Sequence, residues 1–136
     1  MIAADIADKL VAAAREARQR AYAPYSKFTV GAAVLCADGR VFGGCNVENA
    51  SFGATVCAER VALFSAVAAG CRGIEAIAIA GPGGQPVPPC GICRQVMVEL
   101  AGGADVIMAG DERTRATTVV ELMPEAFGAS ALRERT

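Results

Sequence analysis

The segment IEAIAIAG, residues 74–81, is apolar at almost every position and has the length of a single strand. A strand that is apolar on both faces has to be covered on both sides, and such runs are typical of the centre of a sheet. This segment therefore predicts a central strand, and the remaining elements must supply the layers that cover it.

Helical and strand-like segments alternate on either side of this run. Predicted helices cover residues 2–21, 57–69 and 91–101, and glycine follows each of the last two. The other predicted strands are TVGAAVLC and VFGGCNV, joined by the turn ADGR, and ADVIMAG and TTVVEL, which we expect to pair antiparallel; MPEAF predicts a final turn or short helix. This order predicts an α/β fold of three layers, α/β/α, with a five-stranded mixed sheet and helices on both faces.

The composition limits the classes of partner. A chain of 136 residues is long enough for one domain with a core, so we expect a single domain over residues 1–136. The net charge of −1 provides no basic field for nucleic acid or for an anionic membrane, and we expect neither as a partner. The apolar content of 54% is high for a small monomer, so we expect some apolar side chains to face another subunit.

The role expected for the cysteines depends on the cellular compartment, because the compartment decides whether thiols stay reduced. No apolar run approaches the ~18 residues of a membrane span, and the first twenty residues read as an amphipathic helix rather than a signal peptide. We therefore expect a cytoplasmic protein with reduced thiols, in which clustered cysteines bind metal or do chemistry. The chain has no histidine, which excludes catalytic triads built on imidazole and histidine-ligated metal sites. The six cysteines are at positions 36, 45, 57, 71, 90 and 93.

Cys90 and Cys93 stand at the start of a predicted helix, in PPCGICRQV. Residues three apart on a helix lie on one face with Cβ atoms roughly 5–6 Å apart, so their thiolates can share one ion. A helix N-terminus also favours the thiolate over the thiol. By itself the pair has three further interpretations, namely a redox couple, half of a structural zinc knuckle, or two buried thiols.

Cys57, in VCAERVALF, also opens a predicted helix after a loop. If the two helix N-termini converge, three thiolates meet at one point. A fourth thiolate would have to come from Cys36, Cys45 or Cys71, and each of these is more simply interpreted as a small core or surface residue. Three protein ligands with one open position is the pattern of catalytic zinc rather than structural zinc.

Charged residues beside Cys57 suggest chemistry at that open position. In mid-helix an offset of two residues is about 200° and would point Glu59 away from the metal. In the first turn, Glu59 can instead face the metal and take the proton of an activated water, although it could also merely suit the helix dipole. Arg60 could donate hydrogen bonds to sulfur and reduce the charge of three thiolates on zinc, and for Arg94 that role and a solvated position stay equally open.

Five motifs in order, YAPYSKFTVGAAVL, GCNVENASFG, CAERVAL, PCGICRQV and ELMPEAF, span nearly the whole chain. Together they resemble the small homotetrameric, zinc-dependent cytidine deaminases of pyrimidine salvage. The resemblance implies the fold of that family, one Zn²⁺ per subunit, a small nucleoside substrate and active sites near subunit interfaces. It implies Cys57, Cys90 and Cys93 as zinc ligands, with Glu59 carrying a proton from water to N3 of the base and then to the leaving amine.

The same resemblance implies a set of substrate contacts. Phe28 would stack on the pyrimidine, and Asn46 and Glu48 would hydrogen-bond the ribose 3′-hydroxyl. Ala58 would offer its backbone N–H to the base carbonyl, and Phe127 would close an active site, that of a neighbouring subunit. The chain departs from the family at Phe52, where a tyrosine is frequent, so a polar contact by that hydroxyl is absent here.

The reaction implied is hydrolytic deamination of cytidine and 2′-deoxycytidine to uridine and 2′-deoxyuridine with release of ammonia, zinc-activated water attacking C4. An aminonucleoside-antibiotic deaminase of the blasticidin type shares the zinc motifs, but NVEN and Phe28 favour the plain nucleoside. A zinc-stabilised binding domain without catalysis would leave Glu59 unexplained. A redox protein built on the C-x-x-C pair is a third alternative, and its activity would survive a chelator.

Overall fold

One five-stranded mixed sheet organises residues 1–133, which are the residues that the computed structural model describes. The strands, in chain order, are β1 (Gly31–Cys36), β2 (Val41–Cys45), β3 (Ile74–Ala80), β4 (Asp105–Ala109) and β5 (Thr114–Thr118). The helices are α1 (Ala4–Arg18), α2 (Ala58–Ala68), α3 (Gly91–Leu100), α4 (Val119–Leu122) and α5 (Ala129–Arg133). The sheet order is β2-β1-β3-β4-β5, with β3 and β4 parallel and all other neighbours antiparallel. The predicted fold class and the central position of β3 are confirmed.

Alternation along β3 divides the core into two clusters. Ile77 and Ile79 face the layer formed by α2, α3 and α4, whereas the alanines at 76, 78 and 80 face α1. The alanine face has little side-chain volume, so α1 lies close to the sheet. Gly31 is required there, because a Cβ atom at this position would lie 2.0 Å from the carbonyl oxygen of Ala14 in α1.

The backbone of α2 also lies directly against the sheet. A Cβ atom on Gly44 of β2 would lie 2.5 Å from the backbone nitrogen of Ala62 and 2.7 Å from the carbonyl oxygen of Ala58. At the neighbouring Gly43 the nearest atom would be a side-chain carbon at 3.5 Å, which is ordinary contact. Gly44 therefore sets how closely the first turn of α2 approaches the sheet.

The predicted strand TTVVEL was wrong after Thr118. The strand β5 begins earlier, at Thr114, and the chain becomes helical at Val119. The hydroxyl of Thr118 accepts a hydrogen bond from the backbone nitrogen of Glu121 at 3.2 Å and caps the helix. The β-branched residues favoured a strand, but the local T-x-x-E pattern is the signature of a helix start and it prevails here.

Two predictions concern the chain as a whole. The single domain over residues 1–136 stays a prediction, and its last three residues lie outside the described ones. Within residues 1–133, none of the helices has the length and apolar character needed to cross a bilayer.

Cys36 and Cys71 form a disulfide bond, which contradicts the expectation that both are unlinked small residues with reduced thiols. Of the two positions left open, core or surface, both residues occupy the core, since they are only 1% and 3% exposed. The bond joins the end of β1 to the chain just beyond α2 across a sequence separation of 35 residues. The closed loop contains β2 and the whole of α2, and Cys45 within it is a free cysteine.

Loss of this bond should lower the stability of the fold. In the chain-entropy model, a cross-link closing a loop of this length contributes about 4 kcal/mol. The double variant Cys36→Ala/Cys71→Ala should therefore show a free energy of unfolding lower by a few kcal/mol, measured by urea denaturation without reductant. Cys45→Ala is the matched control and should remain near the parent protein. A parent protein whose unfolding is unchanged by a phosphine reductant would contradict the stabilising role.

Candidate active site

Two helices begin at the same place, and a cysteine precedes each of them. Cys57 is the N-cap of α2 and Cys90 is the N-cap of α3, both with extended backbone (ψ of 154° and 167°). Cys93 is the third residue of α3 and is fully buried. The convergence predicted from the sequence is thus realised, and the positive ends of two helix dipoles point at one cluster of thiols.

The three sulfur atoms have the spacing of a metal site. All lie within 4.8 Å of one another, and the Sγ atoms of Cys57 and Cys90 are 3.8 Å apart. A tetrahedral zinc ion with Zn–S bonds of about 2.3 Å places its sulfur ligands about 3.8 Å apart. The donor set therefore fits zinc, with three sulfur ligands and one tetrahedral position left for another ligand.

Electrostatics favour the thiolate form of Cys57 and the thiol form of Cys93, which donates to it. The hydrogen bond from Cys93, assisted by the guanidinium of Arg60, lowers the pKa of Cys57 to about 5. The same hydrogen bond raises the pKa of Cys93. Arg60 donates from Nη2 to the Sγ atom of Cys57 at 3.4 Å, and its buried Nε has no hydrogen-bond partner within the described part of the chain. A guanidinium held this way is balanced by negative sulfur beside it.

Glu59 lies in the first turn of α2 and is only 4% exposed. Because the preceding Cys57 has extended rather than helical backbone, the offset between the two side chains is not the 200° of a continuous helix. Glu59 therefore lines the same cavity as Cys57. Burial, followed by the charge of Cys57, raises the pKa of this carboxyl group, which suits a group that both accepts and returns a proton.

A cavity of about 290 Å³ adjoins the cluster. Its walls include seven of the residues predicted from the sequence, namely Phe28, Asn46, Glu48, Cys57, Ala58, Glu59 and Cys90. Five further lining residues were not predicted, namely Ser26, Val30, Thr55, Val87 and Pro88. Ser26 has a local signal, because it stands two residues before Phe28 in YSKF. Val30, Thr55 and Pro88 also stand two residues from a predicted site residue, whereas Val87 is brought to the cavity by packing.

Comparison with known proteins agrees with this geometry. Residues 5–109 match the family model described as the cytidine and deoxycytidylate deaminase zinc-binding region. The chain belongs to this family.

Relatives within the family align over most of both chains. A cytidine deaminase of Halalkalibacterium halodurans is 48% identical over 127 residues, which are 92% of this chain and 96% of the relative. One of Sporosarcina psychrophila is 46% identical over 124 residues, with coverage of 88% and 90%. The crystal structure of cytidine deaminase from Burkholderia pseudomallei has a TM-score of 0.85 and 52% identity, covering 88% of this chain and 98% of that one.

Two residues of this deaminase-family cavity also hold the loop that carries Phe28. The side-chain oxygen of Asn46 accepts a hydrogen bond from the backbone nitrogen of Val30 at 2.9 Å, and its Nδ2 donates to the carbonyl of Phe28 at 2.7 Å. One oxygen of Glu48 accepts from the backbone nitrogen of Tyr25 at 2.9 Å. The sequence motifs predict only substrate contacts for these side chains, and the hydrogen bonds to the loop are not apparent from them.

Two residues of α3 near the site donate hydrogen bonds to backbone carbonyls. Arg94 donates to the backbone carbonyls of Pro89 at 2.8 Å and Leu122 at 2.9 Å, so it ties the loop before α3 to the end of α4. These contacts favour a structural role for Arg94 over hydrogen bonding to the cysteine sulfurs. Gln95 donates to the carbonyl of Phe127 at 2.7 Å.

Two aromatic residues lie away from the cavity of their own chain. Phe127 is 60% exposed and is not among the described residues that line it. Phe52 is 76% exposed, and its ring meets the ring of Tyr25 edge-on with centroids 6.1 Å apart. The departure from tyrosine at position 52 therefore leaves the walls of this cavity unchanged.

Replacing one sulfur donor should weaken metal binding. Cys90→Ala leaves two of the three sulfur atoms, so zinc affinity should fall by more than the roughly 10–100-fold that loss of an outer partner costs. Competition with a chromophoric chelator measures this change. Cys45→Ala is the matched control, because Cys45 is a free cysteine outside the cluster. Equal affinities for the two variants would contradict the assignment of Cys90 as a ligand.

Proposed function

We propose that the protein is a zinc-dependent deaminase that hydrolyses cytidine and 2′-deoxycytidine to uridine and 2′-deoxyuridine with release of ammonia. The observation that carries this proposal is one cavity bounded by two cysteines of the sulfur cluster, the buried carboxyl group of Glu59 and the ring of Phe28. The names and high coverage of the relatives support the same reaction.

The metal requirement follows from the sulfur cluster. Cys57, Cys90 and Cys93 would hold one Zn²⁺ per subunit, and zinc, when bound, activates water for attack at neutral pH. Three thiolates exceed the charge of one Zn²⁺ by one unit, which weakens the metal as a Lewis acid. Arg60 offsets that excess through its hydrogen bond to the sulfur of Cys57.

Glu59 would move the proton. Its carboxylate accepts a proton from the attacking water and passes it to N3 of the pyrimidine while the C4–O bond forms. A second proton then goes through the same carboxyl group to the amine, the C4–N bond breaks and ammonia leaves. The raised pKa of Glu59 brings its two protonation states closer in free energy, so it can act as base and as acid in one cycle.

Substrate would be held by groups on three segments. The half-exposed ring of Phe28 offers a face for stacking on the pyrimidine. Ala58 is the first residue of α2, where backbone N–H groups lack a partner within the helix, so its N–H can serve the base carbonyl. Asn46 and Glu48 would pair with the ribose 3′-hydroxyl, which penalises substrates that lack it.

Replacing the proton carrier tests the reaction. Glu59→Gln should keep stoichiometric zinc and lower kcat for cytidine by roughly 10²–10⁴-fold or more, since a positioned acid–base group contributes that much. Absorbance of cytidine measures turnover, and elemental analysis measures zinc. Glu75→Gln is the control, because this glutamate is exposed on β3.

The same assay separates the alternatives. Full activity of Glu59→Gln would contradict the mechanism. Turnover of a blasticidin-type antibiotic without turnover of cytidine would contradict the substrate, and activity that survives a zinc chelator would contradict the metal requirement.

A homotetramer with active sites near subunit interfaces is also part of the proposal. Large apolar side chains are exposed on the subunit, among them Phe52, Ile92 and Phe127. Covering them in contacts between subunits removes apolar surface from water, and Phe127 would then close the cavity of a neighbour.

The assembly should have about four times the chain mass of 13.9 kDa, and light scattering after gel filtration measures it. Phe127→Ala should raise KM for cytidine, because an apolar wall of the site is lost. A fully active monomer would contradict the assembly.

The cytoplasmic address stays a prediction. The expected lack of nucleic-acid and membrane partners also stays a prediction, and it rests on the net charge of −1.

A further inference from the structure

The segment between α1 and β1 brings Phe28 to the cavity through an unusual turn. Lys27 has a φ of 60°, in the left-handed region that few residues other than glycine adopt. Its backbone nitrogen donates to the carbonyl of Ala23 at 3.0 Å, which closes the turn. A conformation of this kind persists only where the surrounding contacts hold it.

Ser26, which lines the cavity, makes the contacts that hold this turn and is assigned no part in the proposed reaction. Its hydroxyl accepts a hydrogen bond from the backbone nitrogen of Phe28 at 3.0 Å. The same hydroxyl donates a hydrogen bond to Oε2 of Glu48. A serine hydroxyl has one hydrogen to donate, so its single donor is directed to Glu48. One hydroxyl thus joins the proposed ribose contact to the proposed pyrimidine contact.

Glu48 is held at both of its oxygen atoms. Oε1 accepts from the backbone nitrogens of Tyr25 and Ser26 at 2.9 and 3.1 Å, and Oε2 accepts from the Ser26 hydroxyl. A carboxylate oxygen has two acceptor directions, so Oε2 retains one for a hydroxyl of the substrate. The hydrogen bond from Ser26 is also the main reason that the pKa of Glu48 is lowered, which keeps this acceptor ionised.

We propose that Ser26 is a positioning residue that orients the carboxylate of Glu48 toward the ribose 3′-hydroxyl and fixes the turn that presents Phe28, so that it sets the preference for nucleosides with a free 3′-hydroxyl. This inference rests on the proposed deaminase function. Without the Ser26 hydroxyl, Oε2 of Glu48 loses a hydrogen-bond donor and the backbone nitrogen of Phe28 loses its acceptor.

The test compares cytidine with 3′-deoxycytidine as substrates of Ser26→Ala. For cytidine, kcat/KM should fall roughly tenfold, chiefly through KM, because a hydrogen bond to a charged group is lost. For 3′-deoxycytidine the fall should be several-fold smaller, because the contact that Glu48 makes is already missing there. The ratio of kcat/KM between the two substrates therefore shrinks in the variant.

Matched variants separate positioning from general damage to the fold. Ser26→Thr keeps the hydroxyl and should restore most of the substrate ratio, whereas Ser51→Ala removes an exposed serine elsewhere and should leave it unchanged. An equal fall on both substrates, or no rescue by threonine, overturns the inference while leaving the deaminase function intact. No turnover of cytidine by the parent protein overturns the proposed function and this inference with it.

Discussion

The sulfur cluster at the first turns of α2 and α3 depends on positive charge that compensates its thiolates. Three cysteine sulfurs lie within 4.8 Å of one another, and ionised thiols at this separation repel unless positive charge compensates them. Two helix N-termini and the guanidinium of Arg60 supply part of that charge. A zinc ion would supply the rest, so metal binding, thiol ionisation and the meeting of the two helices are parts of one electrostatic arrangement.

The position of α2 connects the sulfur cluster to the sheet. At its first turn the helix backbone contacts β2, where only glycine fits at position 44. Beyond its last turn, the bond between Cys36 and Cys71 ties the chain to β1. Both ends of α2 are therefore fixed to the same hairpin, and Cys57 and Glu59 enter the cavity from a rigid support. Such rigidity suits a site whose sulfur atoms and carboxyl group must keep their relative positions.

The side chains proposed to contact substrate also hold the conformation of the loop that carries Phe28. Asn46 bonds the backbone on both sides of the residue after Phe28, and Glu48 bonds the turn just before it. The groups proposed to contact ribose are thus the groups that present the aromatic ring proposed to contact the base. Under the proposed function, a change at Asn46, Glu48 or Ser26 would act on two parts of the nucleoside at once.

The sequence alone determined the features that depend on neighbouring residues. These are the central apolar strand, the helix starts at Cys57 and Cys90, the spacing of Cys90 and Cys93, and the position of Glu59 in a first turn. The T-x-x-E cap at Thr118 was equally local, but competing β-branched residues obscured it. The tertiary structure alone decided the pairing of Cys36 with Cys71, the contact of Ser26 with Glu48 and the approach of Val87 to the cavity. These contacts depend on which distant segments of the chain the sheet and helices bring together, and no local sequence pattern encodes that arrangement.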